Sequence, residues 1–266
     1  MQTRKQKLRL GNKMKKAIFV YDYTGLMAQP WIDAGYECWC FDGQHQPGII
    51  REGNHVKVGI WFSASDKLAQ AKKITEMVGD GVEIVIGFPE CTDLTIAGAR
   101  HFENKRQANP LFQLEAAELA DLVRIVGLLC NAPWAFENPV GVLSTMYRKP
   151  NFSFNPCDFS GYLPEGDIHP VYPDIYPGRD RYNKTTNIWC GGGFIQPPVK
   201  RIEPEFKYNP GWKLCGGKSK RTKNIRSTTP RGFARAVFEA NACGPCSSCN
   251  ERYCGNCAHA NGAKVQ

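Results

Sequence analysis

The cysteine at position 91 stands where a reactive side chain would be well placed. It belongs to the run Gly87-Phe88-Pro89-Glu90-Cys91-Thr92-Asp93, directly after a short apolar segment, residues 82–87, with the pattern of a buried strand. A loop that follows such a strand can hold a side chain that is both exposed and rigid. A cysteine thiolate is a soft nucleophile, suited to attack on an electron-poor ring carbon such as C6 of a cytosine. The alternative is a small apolar residue packed in the interior, an interpretation that fits Cys38 and Cys130.

A carboxylate follows the next predicted strand, residues 134–136, in the run Glu137-Asn138-Pro139. Because the carboxyl ends of parallel strands meet at one edge of a sheet, we expect Glu137 to lie beside Cys91. Its carboxyl could hold or donate a proton to the ring nitrogen N3 while the thiolate attacks C6. A Glu-Asn pair before proline also occurs merely to stabilise a turn, and at this point both interpretations are open.

Five of the twelve cysteines form a cluster with metal-ligand spacing. They are Cys243, Cys246, Cys249, Cys254 and Cys257. Tetrahedral zinc takes four thiolates from C-x2-C pairs of this kind, so a structural Zn²⁺ is the preferred interpretation. A fifth cysteine and His259 leave the set of four ligands undecided. An iron–sulfur cluster and an unliganded tail are the alternatives.

The formal net charge of +9 is concentrated in two basic segments, an N-terminal arm at residues 1–15 and a second segment from Lys213 to Arg226. Neutralising phosphates releases counterions, so a nucleic acid is an expected partner, with ordinary solvated surface as the alternative. No apolar run is long enough to cross a bilayer or to form a signal peptide. We therefore expect no membrane partner and a cytosolic, cytoplasmic location.

The apolar pattern predicts an α/β fold in which short buried strands alternate with amphipathic helices. Strands are predicted at residues 17–21, 37–41, 56–62, 82–87, 134–136 and 186–189, and helices at about residues 26–34, 66–78, 110–131 and 230–242. Such alternation implies a mostly parallel sheet with helices on both faces and a ligand beyond the carboxyl ends of the strands. A hydroxyl at residues 228–229 is expected to cap the last helix. Residues 139–182, rich in proline, glycine and aromatics, are predicted to be a long functional or disordered loop.

In their order and separation, these motifs resemble those of the cytosine-C5 methyltransferases, most closely the compact phage-encoded relatives. The stretches that carry the resemblance are Tyr21-Asp22-Tyr23-Thr24-Gly25 (motif I), Asp42, Phe88-Pro89-Glu90-Cys91-Thr92 (motif IV), Ala97-Gly98-Ala99-Arg100, Glu137-Asn138-Pro139-Val140-Gly141 (motif VI), Lys184-Thr185-Thr186-Asn187-Ile188-Trp189 (motif VIII) and Arg226-Ser227-Thr228-Thr229-Pro230-Arg231-Gly232-Phe233 (motif X). Together they cover about residues 16–241.

The resemblance implies a Rossmann-like methyltransferase fold and transfer of a methyl group from S-adenosylmethionine to C5 of cytosine in DNA. It implies that Cys91 is the nucleophile, assisted by Glu137 and Asn138. The positions implied for binding the cofactor are Asp22, Tyr23, Thr24, Gly25, Asp42 and Pro89. Contacts to phosphates or bases are expected of Arg100, Arg179, Arg181 and Lys184, with solvated surface charge as the alternative for each.

The expected organisation is a disordered arm at residues 1–15, a catalytic domain at 16–242 and a metal-binding tail at 243–266. Residues 190–225 stand where the family has a much larger recognition domain, so sequence-specific reading of a duplex is not expected. Glu90 replaces the proline that normally precedes the nucleophile. A carboxylate aimed at the thiol would raise the pKa of Cys91.

Two other functions are open from the sequence. One is modification of free pyrimidine nucleotides by the same chemistry, which the short recognition insert favours. The other is nucleic-acid binding without catalysis on a methyltransferase fold. Glu90 and a motif I with few glycines favour this second alternative.

Overall fold

A computed structural model describes residues 14–217 and 219–242 of the chain. Seven strands form one sheet: β1 Lys16–Val20, β2 Glu37–Glu52, β3 His55–Gly59, β4 Val82–Gly87, β5 Trp134–Pro139, β6 Phe152–Phe154 and β7 Thr186–Gly191. The α-helices are α1 Gln29–Asp33, α2 Lys67–Val78, α3 Phe102–Ala108, α4 Phe112–Leu129, α5 Leu143–Met146, α6 Pro210–Lys213, α7 Lys220–Arg226 and α8 Arg231–Asn241. Short 3-10 helices lie at Ala64–Asp66, Ile96–His101, Pro156–Tyr162 and Gly178–Asp180.

The strand order is β3-β2-β1-β4-β5-β7-β6. The central pairs from β2 through β1 and β4 to β5 are parallel, whereas β7 is antiparallel to both β5 and β6. This is the 3-2-1-4-5-6 order of a doubly wound sheet with an antiparallel strand inserted before the last position. The mixed α/β architecture predicted from the sequence is therefore confirmed.

Apolar residues on both faces of β1 explain why the sheet is covered on both sides. Ile18 and Val20 pack into the core that contains residues of α2 and α4. Ala17 and Phe19 pack on the opposite face with Trp31 of α1 and with α8. A strand buried on both faces is expected to be continuously apolar, as β1 is. None of the helices in the described parts of the chain is long and apolar enough to span a membrane.

The prediction for β2 was wrong about its end, because the strand continues past Asp42 to Glu52. Its first part pairs with β3, and residues 49–52 pair with β3 again in reversed register, with Ile49 opposite Val58 and Glu52 opposite His55. The connecting residues cross the end of β3 above Gly59, where a Cβ atom would lie 2.1 Å from the Gln46 carbonyl oxygen. Residues 42–48 of β2 are mostly polar and partly exposed, so the sequence lacks the apolar alternation from which a strand is predicted.

Residues 139–182, predicted as a long loop, contain the four-residue helix α5, the three-residue strand β6 and two 3-10 helices. A strand of three residues is too short to produce a recognisable alternation. The segment is fastened to α8 by Arg231, which pairs with Asp167 at 2.6 Å and with Asp180 at 3.5 Å.

The predicted hydroxyl cap of α8 was also wrong. Pro230 occupies the N-cap position, and the Thr228 hydroxyl donates instead to the Asn224 carbonyl oxygen at 3.0 Å. The Asp180 carboxylate accepts the backbone N–H of Gly232 at 2.9 Å, so a side chain from the preceding loop satisfies the helix end.

Candidate active site at the carboxyl edge of the sheet

Cys91 lies in a tight turn just after β4. Its carbonyl oxygen accepts the backbone N–H groups of Leu94 at 3.0 Å and Thr95 at 2.9 Å. Thr95 in turn forms a bridge with Gly141, which follows β5. The Cys91 side chain is half-buried. The loop thus holds the cysteine rigidly and fixes it to the end of the neighbouring strand.

Glu90, the residue that departs from the family pattern, is exposed and directed at Thr92. Its carboxylate accepts the Thr92 hydroxyl at 2.8 Å. The Glu90 charge still raises the pKa of Cys91, but burial and the Glu137 charge act on the thiol more strongly. Glu90 therefore raises the pKa of Cys91 less than burial and the Glu137 charge do.

Glu137 and Asn138 end β5 beside the Cys91 loop. The register of β4 and β5 places Gly87 opposite Phe136, so the last residues of β5 lie beside the loop that follows β4. Asn138 is fully buried, and its Nδ2 donates to the Pro89 carbonyl oxygen at 3.3 Å. Through this hydrogen bond, Asn138 fixes the end of β5, with Glu137, to the loop that carries Cys91. We therefore regard Asn138 as a positioning residue.

Cys91, Glu137 and Lys184 form one electrostatic group. Burial, and then the Glu137 charge, raises the pKa of Cys91 to about 11, while Lys184 lowers it. Burial also raises the pKa of Glu137, and Lys184 again opposes the shift. Within the described residues, no hydrogen bond reaches the Glu137 carboxyl. The carboxyl is thus available to a ligand, and because its pKa is raised, a ligand that accepts a hydrogen bond can more readily bind its protonated form.

A small cavity that opens to solvent adjoins Glu137. Its lining comprises Phe88, Glu137, Phe154, Lys184, Thr186, Ser227, Thr228, Thr229, Pro230 and Phe233. This lining joins the ends of β4, β5 and β7 to the segment before α8.

Asp22, directly after β1, heads a second group of polar residues. Its Oδ1 accepts the Gly25 backbone N–H at 2.9 Å and the Thr24 hydroxyl at 3.3 Å. This turn requires a positive φ at Gly25, +69°. The Oδ2 atom is buried without a hydrogen-bond partner among the described residues. Burial raises the pKa of Asp22 to about 6, because the loss of solvation outweighs the Gly25 and Thr24 hydrogen bonds and the His45 charge.

Residues that the sequence analysis missed lie around Asp22 and Asp42. His45 approaches the Tyr23 carbonyl oxygen at 3.2 Å, and its charge lowers the pKa of both aspartates. Buried atoms without partners among the described residues are Gln44 Oε1, His45 Nδ1 and His55 Nε2. The only sequence signal for His45 was its place shortly after Asp42, at the end of a predicted strand.

The four residues predicted to contact nucleic acid lie in different surroundings in the structure. Lys184 belongs to the Cys91–Glu137 group, and its ammonium donates to the Arg226 carbonyl oxygen at 3.3 Å. Arg100 is exposed on the 3-10 helix after the Cys91 loop. Arg179 donates through Nε to the Ser160 carbonyl oxygen, and Arg181 to that of Glu203. Arg179 and Arg181 thus use their side chains to fix neighbouring backbone segments.

No group of histidine, cysteine, aspartate and glutamate residues in the described parts of the chain could hold a metal ion. The predicted ligands Cys243, Cys246, Cys249, Cys254 and Cys257 lie outside the described residues, as does most of the basic arm. Comparison with protein-family models and with curated proteins found no match to this sequence.

Proposed function

We propose that the protein is an S-adenosylmethionine-dependent methyltransferase that methylates C5 of cytosine in DNA, with Cys91 as nucleophile. The observation that carries the proposal is the electrostatic grouping of Cys91 with Glu137 and Lys184, the last two of which line a small cavity. The strand order is a second support, because an antiparallel strand inserted beside the fifth strand is typical of methyltransferases that use this cofactor.

The protonation states of the two residues suit addition to a cytosine ring. A protonated Glu137 donates to N3, which makes C6 more electrophilic, while the Cys91 thiolate forms a bond to C6. A base that binds with N3 facing Glu137 favours the protonated carboxyl, which carries no negative charge and so does not raise the pKa of Cys91 as the carboxylate does. Lys184 stabilises the thiolate. Base binding therefore assists ionisation of the nucleophile.

The remaining steps restore the enzyme. Bound S-adenosylmethionine would supply the methyl group to C5. Loss of the C5 proton to a base then forms the C5–C6 double bond and breaks the C6–S bond, so that Cys91 leaves as the thiolate. The proton on N3 returns to Glu137. Because the ring must expose its C6 face, the target base has to leave a duplex stack or belong to a single strand.

The residues around Asp22 fit the cofactor by chemistry. The buried, unpartnered Oδ2 of Asp22 is suited to an ammonium group such as that of the methionine moiety. Asp42, at the turn in β2, would accept from ribose hydroxyls. A bound cation would also lower the raised pKa of Asp22.

The test is nucleoside mass spectrometry of DNA from a methylation-deficient host that expresses the protein. We expect new 5-methylcytosine with the wild type, none with Cys91→Ala, and an unchanged amount with Cys130→Ala. Cys130 is a matched control because it is also half-buried but lies at the end of α4. Absence of 5-methylcytosine from the wild type, at normal levels of folded protein, would contradict the proposal.

Modification of a free nucleotide by the same residues is the second candidate, favoured by the short insert at residues 190–225. Incubation of the purified protein with deoxycytidine monophosphate and the methyl donor tests it. A methylated mononucleotide, formed only with Cys91 intact and without methylation of DNA, would replace the first proposal.

A further inference from the structure

The chain between Glu205 and Glu239 contains nine lysines and arginines and no acidic residue. They are Lys207, Lys213, Lys218, Lys220, Arg221, Lys223, Arg226, Arg231 and Arg235. These nine charges equal the formal net charge of the whole protein. A stretch of this kind creates a local positive potential that attracts a polyanion. We call residues 206–226 of it the basic–aromatic segment.

Two aromatic rings of this segment face solvent. Trp212 is 61% exposed and Tyr208 is 40% exposed. The Lys213 ammonium lies 5.7 Å from the centre of the Tyr208 ring. Single exposed aromatics are ordinary on a protein surface, but here the rings lie among lysines and arginines that, in the described part of the segment, form no salt bridge. Successive bases of a single strand stack on rings of this kind while cations contact the backbone.

The backbone that presents Trp212 is packed firmly. Its neighbours in α6, Pro210 and Gly211, are buried. A Cβ atom on Gly211 would lie 2.2 Å from the Tyr176 hydroxyl, which itself donates to the Ile225 carbonyl oxygen at 2.6 Å. The indole is therefore held outward from a rigid support and does not contribute its ring to the core.

Contacts connect the segment to both halves of the candidate site. The Lys220 ammonium lies 5.8 Å from the centre of the Tyr23 ring, which is 39% exposed, and its charge lowers the pKa of Asp42. At the other end of α7, the Arg226 carbonyl oxygen accepts the Lys184 ammonium. A strand bound along the segment would thus run past the cavity that Glu137 lines.

We propose that the basic–aromatic segment binds single-stranded DNA, with Trp212 and Tyr208 stacking on bases and Lys220 and Lys223 contacting phosphates. The inference rests on the proposed function, which supplies the choice of DNA among polyanions. The single strand follows from the rings, since the base faces on which they stack are covered in a duplex.

The experiment measures fluorescence anisotropy of a labelled 20-nucleotide single strand with the full-length protein, without cofactor. The same sequence as duplex and as RNA is measured alongside. We expect the single-stranded DNA to bind tightest. Trp212→Ala should weaken its affinity about 5- to 150-fold, whereas Trp212→Phe should retain most of it. Thermal melting checks that the variants are folded.

Charge is tested separately through salt dependence. Lys220→Gln with Lys223→Gln should reduce the slope of log affinity against log salt by about 1.4, or ~0.7 per phosphate contact on a single strand. The matched control is Lys72→Gln with Lys73→Gln, two exposed lysines on α2, which should leave affinity and slope unchanged.

The outcomes separate this inference from the proposed function. Wild-type affinity in Trp212→Ala, or preference for the duplex or for RNA, overturns the binding surface even if Cys91-dependent methylation is observed. Binding that depends on Trp212, without any 5-methylcytosine in cells, upholds the surface and overturns the methyltransferase.

Discussion

The Cys91 thiol is subject to two opposing charges, since Glu137 raises its pKa and Lys184 lowers it. With a pKa of about 11, only on the order of one thiol in 3,000 is ionised at pH 7.5 in the free protein. The nucleophile is therefore held inactive until a ligand changes the charge of Glu137. Such coupling would limit side reactions of the thiol with other electrophiles.

Alkylation by iodoacetamide gives a direct test of this coupling. We expect the rate at Cys91, followed by mass spectrometry of its peptide, to rise about tenfold per pH unit up to pH ~11. Glu137→Gln should raise the rate several-fold at pH 8, because removal of the carboxylate charge lowers the pKa of Cys91. Lys184→Gln should lower it.

Glu90→Gln is a control with a smaller expected effect, since Glu90 raises the pKa of Cys91 less than Glu137 does. It should produce a smaller acceleration than Glu137→Gln. Equal rates in the wild type and in all three variants would show that none of these charges acts on the thiol.

Single residues were predictable to different degrees. Cys91, Glu137 and Asp22 could be placed from the sequence, because Cys91 and Asp22 follow buried strands, Glu137 lies near the end of β5, and the ends of adjacent strands meet. The hydrogen bond from Asn138 to Pro89 could not, since it depends on the register between β4 and β5. His45 was missed because β2 turns in a way that its polar sequence does not signal.

At the scale of elements, α8 and the segment before β7 depend on one another through Arg231. The guanidinium donates hydrogen bonds of 2.7 and 2.6 Å to the two Asp167 carboxylate oxygens. The Asp180 carboxylate, which is almost fully buried, lies 3.5 Å from the same guanidinium. Arg231 directly follows residues 227–230, which line the cavity, and Asp180 accepts the backbone N–H of Gly232 one residue later. This network therefore supports one wall of the candidate site.

Arg231→Ala should lower the free energy of unfolding by about 3–5 kcal/mol, because it leaves the Asp180 carboxyl buried without its partner. Urea denaturation measures the change. Arg235→Ala, one helical turn later, removes an exposed pair with Glu239 and should cost no more than about 0.5 kcal/mol. Similar losses in the two variants would contradict a special role for the buried pair.

The helices show which elements the sequence specifies. Those predicted at residues 66–78 and 110–131 were confirmed as α2 and α4, whose apolar residues repeat at helical spacing over several turns. β6 could not be predicted, because three residues carry no periodicity, and its place in the sheet is fixed only by pairing with β7.

At the scale of the whole molecule, two groups among the twelve cysteines contrast with each other. Cys38 and Cys40 are buried in the core, where burial raises the pKa of each thiol far above its usual range. Such thiols are packing residues. The five clustered cysteines of residues 243–257 retain the spacing of a metal site, and zinc there stays a prediction.

Metal analysis of the purified full-length protein by native mass spectrometry should find about one zinc per chain. Cys246→Ser combined with Cys249→Ser should abolish it, whereas Cys130→Ser should not. A brown protein that contains iron instead would identify the alternative iron–sulfur cluster, and a metal-free wild type would rule out both.

The position of β7 has a consequence for synthesis on the ribosome. It is the last strand in the described chain, yet it lies between β5 and β6. Until its residues leave the exit tunnel, the outer edge of β5 has no partner and β6 cannot join the sheet. An open edge of this kind invites pairing with another chain. Slow translation between the codons of β6 and β7 would therefore prolong the period in which the nascent protein is most prone to aggregate.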